Sequence, residues 1–144
     1  MIRYVHGMDI FDHPPTVALV NPVNCRGVMG AGLALEFKKR YPAMFREYAR
    51  KCKNGGLHPG MLHIWRGERT IVNLPTKFDW RNPAILVHVD IGLEVLSGYI
   101  WSNGIAIPKL GCGLGGLHWP DVRALIVARM GRAKYEVWVH GDGD

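Results

Sequence analysis

The 144-residue sequence has few of the residues that mark several common catalytic sites. It contains only two serines, Ser97 and Ser102, and neither lies in the G-x-S-x-G turn of a serine hydrolase. It has no G-x-x-x-x-G-K-[ST] motif, which excludes a P-loop nucleotide triphosphatase. Its three cysteines, Cys25, Cys52 and Cys112, form no C-x-x-C pair, and its seven histidines form no H-x-x-x-H pair. We therefore expect neither a disulfide framework nor a metal site, and no cofactor.

Long apolar runs are also missing. No stretch approaches the roughly 18–20 residues that a transmembrane helix needs, and residues 1–6 lack the apolar segment of a secretory signal. The composition, with 48% hydrophobic and 21% charged residues, is that of an ordinary globular protein. The sequence therefore predicts a single domain over residues 1–144, monomeric and cytoplasmic, with no membrane contact.

Positive charge is concentrated in one part of the chain. Residues 36–53 contain seven basic and two acidic residues, which accounts for +5 of the net charge of +6. A basic helical segment suits an anionic partner such as nucleic acid. The alternative is a solvated helix face that only keeps the protein soluble.

Short apolar runs alternate with helical periodicity along the chain. Apolar residues at spacings of three and four predict helices after residue 32, from about 85 to 100, and after Pro120. Pro42 is expected to divide the first of these helices, because proline removes a backbone donor but fits a first turn. Predicted strands are residues 17–20, 61–65, 70–73, 105–107 and 136–139. Apolar strands between helices are typical of an α/β sheet covered on both faces.

Two glycine-rich loops, residues 24–32 and 111–116, each follow a strand and precede a helix. We expect them at one edge of the sheet, where free backbone N–H groups and helix N-termini would hold a pyrophosphate. Residues 111–116 also match the dinucleotide motif G-x-G-x-x-G, with Glu136 twenty residues further on. Only one strand remains after this motif, which argues against a Rossmann unit.

Three motifs in order resemble those of macrodomains, which bind ADP-ribose. They are the run from Asn21 to Ala34, the run from Leu74 to Lys77 with Trp80-Arg81, and the run from Pro108 to Leu117 before Trp119. Within the family they look like the branch of bacterial DNA ADP-ribosyl glycohydrolases. The resemblance implies a three-layer α/β/α macrodomain with a mixed central sheet of about six strands.

The resemblance also implies ligand-binding residues. Asp9, beside Ile10, would accept a hydrogen bond from the adenine amine, and Asn24 would hold the distal ribose. The two glycine loops would enclose that ribose and the pyrophosphate, because a Cβ would keep the backbone away from phosphate. Their implied contacts are Gly27, Val28, Met29, Gly30 and Gly32 from one side and Gly111, Cys112, Gly113, Leu114 and Gly115 from the other.

Lys77 is the implied catalytic residue, acting on C1″ of the distal ribose as a nucleophile or by proton transfer. The alternative is a loop lysine paired with phosphate or with Asp79. Trp80, Arg81 and His118 are candidate substrate contacts, although His118 also suits a plain loop or capping role. The related mammalian terminal ADP-ribose glycohydrolase has an aspartate where this chain has Gly115. A covalent lysine intermediate resolved by that carboxylate is therefore not expected here.

The resemblance thus implies an enzyme that removes ADP-ribose from modified DNA, with thymidine in a single strand as the linked base and an ADP-ribosyltransferase toxin as the opposing partner. Two alternatives remain open. One is a non-catalytic ADP-ribose reader, and the other is an esterase acting on protein-linked ADP-ribose or on O-acetyl-ADP-ribose.

Overall fold

A computed structural model describes residues 1–143, which form a six-stranded sheet with helices on both faces. The strands are β1 (Ile2–Val5), β2 (Ala18–Val23), β3 (His63–Arg66), β4 (Thr70–Pro75), β5 (Ile105–Ile107) and β6 (Val137–His140). The helices are α1 (Gly32–Arg40), α2 (Pro42–Lys53), α3 (Leu86–Ser97) and α4 (Trp119–Met130). A 3₁₀ turn, Ile10–Asp12, lies between β1 and β2.

The strands are ordered β1-β6-β5-β2-β4-β3 across the sheet. β3 is antiparallel to β4, and the other neighbouring pairs are parallel. In the centre, Leu19 of β2 lies between Ile71 of β4 and Ala106 of β5. The predicted mixed sheet of about six strands is confirmed.

Successive residues of β2 point to opposite faces, and both faces are covered. Leu19 packs in a core with Phe37 of α1 and Tyr48 of α2. Val20 packs in a second core with Val89 of α3 and with residues of α4. The five named side chains are fully buried. Apolar residues at consecutive strand positions therefore produce the predicted three-layer α/β/α architecture.

Pro42 divides the first helical stretch as expected. The residue before it, Tyr41, has φ −130° and ψ 68°, because a following proline disfavours the helical conformation. α1 ends at Arg40, and Pro42 occupies the first turn of α2.

Two expectations about the ends of elements were wrong in detail, and one strand was missed. β2 continues through Pro22 to Val23. Its pairing with β5 ends at Leu19, so Pro22 lies where β2 pairs only with β4, and proline is tolerated at such a one-sided position. The helix expected up to Ile100 ends at Ser97, and Ile100 is 83% exposed. β1 was not predicted, since four residues carry too little periodicity.

The topology brings three loops to one edge of the sheet. β2, β4 and β5 are parallel neighbours, so the segments that follow them leave from the same end. These segments are residues 24–31, 76–85 and 108–118. Within residues 1–143, no helix is both long and apolar enough to cross a membrane.

Candidate active site

A cleft of about 1130 Å³ opens at the carboxyl ends of β2, β4 and β5. The two glycine loops face each other across it, since a Cβ on Gly32 would lie 3.8 Å from Leu114 Cδ1. Most residues proposed from the sequence line this cleft: Asn24, Val28, Gly30, Gly32, Lys77, Trp80, Arg81, Gly111, Cys112, Gly113, Leu114 and Gly115.

Asn24 organises the first loop with its side chain. Its amide Nδ2 donates to the Val28 carbonyl at 2.8 Å, and its Oδ1 accepts from the Arg26 N–H at 2.9 Å. The buried Tyr48 hydroxyl donates to the Asn24 carbonyl at 2.7 Å. An amide carries two donor hydrogens, so Asn24 keeps one for a ligand hydroxyl. Its ribose contact stays a prediction.

Two residues of the first loop face the protein instead of the cleft. Gly27 has φ +81°, and a Cβ there would lie 3.4 Å from the Cβ of Cys52 on α2. Met29 is buried, with its sulfur 3.8 Å from Asn21 Nδ2. The ligand contacts predicted for Gly27 and Met29 are therefore restricted to backbone groups.

The first loop leads into the N-terminus of α1 at the cleft. Residues 31–34 line the cleft, and the first backbone bond of the helix runs from the Leu35 N–H to the Ala31 carbonyl. The preceding N–H groups have no helical partner, which makes them suitable donors to phosphate. A Cβ on Gly30 would lie 3.6 Å from Val28 Cγ1, so this position has room for a side chain toward the cleft.

The second loop is compact because glycine is required at two of its positions. Gly111 has φ +72°, where other residues are strained. A Cβ on Gly115 would lie 2.5 Å from the Gly111 carbonyl oxygen and 2.7 Å from Ala84 Cβ. The Gly115 carbonyl in turn accepts from the Ala84 N–H at 2.9 Å. The loop therefore has no room for an acidic side chain at residue 115.

Lys77 lines the cleft, two residues beyond the end of β4. The backbone of Thr76 is held on both sides. Its N–H donates to the Val23 carbonyl at 2.9 Å, and its carbonyl accepts from the Ile85 N–H at 2.9 Å. Lys77 is half-buried, and within residues 1–143 its ammonium group has no hydrogen-bond or ion-pair partner. The alternative pairing with Asp79 is absent, because that carboxylate pairs with Arg26 and Arg81.

The lining of the cleft carries only positive charge. Among the described residues that line it, the charged side chains are Lys77, Arg81 and Lys109. The Lys109 ammonium lies 5.7 Å from the centre of the Trp119 ring. Burial raises the pKa of the Cys112 thiol, which keeps that group neutral. The cleft thus complements a ligand with two phosphates, and Lys77 is its unengaged amine.

Besides Gly27 and Met29, three proposed contacts lie outside the lining of the cleft. Asp9 is exposed and caps the 3₁₀ turn, its Oδ1 accepting from the Phe11 N–H at 2.9 Å. Ile10 is buried in the core, and His118 is an exposed N-cap residue of α4 without a side-chain capping bond. Their ligand contacts remain predictions.

The dinucleotide alternative fails on geometry. Glu136 precedes β6 and pairs with Arg3 at 2.8 Å, at the amino end of the strand. The glycine loop 111–116 leaves the carboxyl end of the parallel neighbour β5. Glu136 therefore lies at the opposite edge of the sheet and cannot hold a ribose bound at this loop.

The sequence argument missed part of the cleft wall. Asn82 and Pro83 line the cleft, as do Lys109 and Thr76. The sequence did indicate Lys109 as a lining residue, since it lies two residues after β5 just as Lys77 lies two residues after β4. Asn82 lies in an irregular loop where no periodicity indicates which way a side chain points.

Comparison with known proteins agrees with this geometry. A family model described as "Macro domain" matches residues 20–78. The DNA ADP-ribosyl glycohydrolase of Mycobacterium tuberculosis is 46% identical over 121 residues, covering 78% of this chain and 34% of that protein. The chain thus spans about a third of the length of that curated relative.

Two solved structures extend the comparison. The macrodomain of Mycobacterium tuberculosis DarG has a TM-score of 0.91 and 38% identity, covering 99% of each chain. Thermosipho africanus DarTG in complex with ADP-ribose has a TM-score of 0.85 and 27% identity, covering 92% of this chain and 39% of that one. The chain is 38% identical to the Mycobacterium tuberculosis macrodomain over 99% of its length, and its cleft lies at the edge of the sheet that its motifs predict. The chain therefore belongs to the macrodomain family.

Proposed function

We propose that this chain is an ADP-ribosyl glycohydrolase that removes ADP-ribose from modified DNA. The relative from Mycobacterium tuberculosis carries the name of this activity, and the Thermosipho protein was solved with ADP-ribose. A modified thymidine in a single strand is the proposed substrate.

The observation that carries the proposal is the placement of Lys77. A reader domain needs only the loops and the cationic lining. Here an amine with no partner among residues 1–143 lies between the two loops, at the end of β4. A free amine held by a rigid backbone beside the ligand is suited to chemistry.

The loops would supply orientation. Free backbone N–H groups among residues 30–34 and 111–115 bind the pyrophosphate, and the remaining amide hydrogen of Asn24 binds a hydroxyl of the distal ribose. This fixes C1″ near Lys77, so that the reacting groups need no further ordering.

The reaction breaks the bond between C1″ and the base. The base leaves with the bonding electrons and takes up a proton, while a water oxygen bonds to C1″ and loses a proton. Lys77 acts either as the proton donor to the base or as a nucleophile that bonds to C1″ before water releases it.

The proposed substrate also indicates a partner. ADP-ribosylated DNA arises only where an ADP-ribosyltransferase has acted, so we propose such a toxin as the functional opponent, in the cytoplasm. The chain is proposed to act as a monomer and without a metal.

Two substrates and one ligand separate the candidate functions. Purified chain is incubated with an ADP-ribosylated thymidine oligonucleotide and, separately, with a peptide ADP-ribosylated on glutamate, and free ADP-ribose is followed. We expect release from the oligonucleotide in the presence of chelator. Release from the peptide alone indicates the esterase, and binding of ADP-ribose without release from either substrate indicates the reader.

A further inference from the structure

Two arginine–aromatic pairs stand side by side at the rim of the cleft. The Arg26 guanidinium lies 5.0 Å from the centre of the Phe78 ring, and the Arg81 guanidinium lies 5.2 Å from the centre of the Trp80 ring. Phe78 and Trp80 are 43% and 50% exposed. His58 is stacked near Phe78 with ring centres 6.5 Å apart, and both Phe78 and Trp80 keep apolar surface open to a ligand.

A single carboxylate connects the two pairs. Asp79 Oδ2 lies 3.3 Å from Arg26 Nε, and Asp79 Oδ1 lies 3.4 Å from Arg81 Nε. Asp79 Oδ1 also accepts from the Arg81 N–H at 2.9 Å. That bond and the two guanidinium groups lower the pKa of Asp79, which therefore remains ionised at neutral pH. We call these five residues, Arg26 and 78–81, the Asp79 platform.

The surroundings of the platform add positive charge. Gly27, next to Arg26, packs on α2 at Cys52. The last turn of α2 therefore lies beside Arg26, and it carries the exposed residues Arg50 and Lys53. By contrast, the basic end of α1 is engaged elsewhere, with Lys38 over the Phe45 ring at 4.3 Å.

We propose that the Asp79 platform binds the unmodified nucleotides next to the modified base in single-stranded DNA, with Phe78 and Trp80 stacking on bases. The inference rests on the proposed function, since the platform begins at the cleft wall, where Trp80 and Arg81 are lining residues. Asp79 is a positioning residue that holds both arginines for the phosphates.

The chemistry of the platform favours a single strand. Stacking requires bases with an exposed face, which a duplex does not offer at its surface. Each guanidinium group lies over its ring, so a base that stacks on the remaining exposed face and the phosphate of that base can be bound together. An acidic protein would use the arginines but would leave both rings without a matching partner.

The direct test measures binding of an unmodified oligothymidylate by fluorescence anisotropy at low salt. Phe78→Ala removes one stacking surface outside the cleft, and we expect binding to weaken by about 5- to 150-fold, the range of one base–aromatic stack. Arg26→Gln should flatten the dependence of log K on log salt by about 0.7, as one phosphate contact is lost. Tyr99→Ala and Arg132→Gln are matched controls, because both residues are exposed and lie at the opposite end of the sheet.

A second variant tests the role of Asp79. Asp79→Asn keeps an acceptor for the Arg81 N–H but releases both guanidinium groups, and it makes the surface more positive. Weaker binding supports positioning by Asp79. Tighter binding refutes it, because charge alone then governs affinity.

A kinetic comparison separates this inference from the proposed function. In Phe78→Ala, kcat/KM for an ADP-ribosylated oligonucleotide should fall by the same factor as oligonucleotide affinity, while hydrolysis of ADP-ribosyl-thymidine and affinity for ADP-ribose stay unchanged. Equal losses on both substrates, or oligothymidylate binding that Phe78→Ala and Arg26→Gln leave at the level of the controls, overturn the platform. If the proposed function is wrong, the unaltered chain releases no ADP-ribose from the oligonucleotide. The anisotropy assay with unmodified oligothymidylate still tests the platform in that case.

Discussion

Replacing Lys77 by alanine tests the central chemical claim with little risk to the fold. Within residues 1–143 the ammonium group has no partner, and the backbone at this point is held by the bonds of Thr76. Removing the side chain therefore breaks no internal interaction. We expect the melting temperature to stay within about 2 °C, since a change of stability below about 0.5 kcal/mol shifts it by no more than that.

The expected loss of activity is much larger than the loss of affinity. Removing a positioned acid, base or nucleophile lowers the rate by at least ~100-fold, which corresponds to about 2.7 kcal/mol of transition-state stabilisation. ADP-ribose affinity should fall less than about tenfold, because a partly exposed charge contributes on the order of 1 kcal/mol while the backbone donors of both loops remain. Single-turnover release of ADP-ribose from the oligonucleotide and calorimetry with ADP-ribose give the two values.

Lys77→Arg is the sharper control. Arginine keeps the positive charge but neither donates its proton readily nor acts as an amine nucleophile. If Lys77→Arg retains activity, Lys77 is only an electrostatic clamp for phosphate and the reasoning is refuted. If both variants bind ADP-ribose but release none, borohydride trapping during turnover of the unaltered chain distinguishes the nucleophile, which gives a reducible adduct, from the proton donor.

Three further outcomes are expected. Gly30→Glu should fold normally but abolish ADP-ribose binding in calorimetry, because the site has room for a side chain whose carboxylate would repel the pyrophosphate. Tyr48→Phe should lower stability by about 1–3 kcal/mol in urea unfolding, since the buried Asn24 carbonyl loses its 2.7 Å donor. Burial lowers the pKa of His13 and His63, so stability should fall as the pH drops through about 6.5, where the unfolded chain takes up these protons more readily than the folded chain. Urea unfolding at pH 7.5 and 5.5 measures the difference, and equal stability would contradict it.

The sequence predicts the layers of the fold well because hydrophobic patterning determines them. Consecutive buried positions within a strand, such as Leu19 and Val20, require that both faces of the sheet are covered. The sequence predictions fail at the ends of strands and helices. Pro22 is tolerated in β2 because of strand order, which local patterning does not contain.

The site was predictable to the extent that backbone geometry builds it. Two glycine loops after parallel strands must meet at one edge, and they do. The orientation of side chains was not predictable in the same way. Asn24 uses most of its hydrogen-bonding groups within its own loop, and Gly27 faces α2. Neither orientation could be read from the local sequence, because both depend on contacts with Tyr48 and Cys52, which lie on a helix more than twenty residues away.

The cationic cleft favours proton donation by Lys77 over nucleophilic attack. Gly115 has no room for a carboxylate, and among residues 1–143 no acidic side chain lines the cleft, so nothing in the wall would take a proton from a lysine intermediate. A departing nucleobase leaves as a strong base and benefits from a proton, whereas a carboxylate, whose conjugate acid has a pKa near 4, does not.

Lys77→Arg should therefore slow release from the thymidine oligonucleotide at least ~100-fold but change any release from a glutamate-linked peptide less than about tenfold. Parallel time courses on the two substrates measure this ratio. Equal losses on both substrates would show that Lys77 acts on C1″ as a nucleophile and not as the acid of the leaving group.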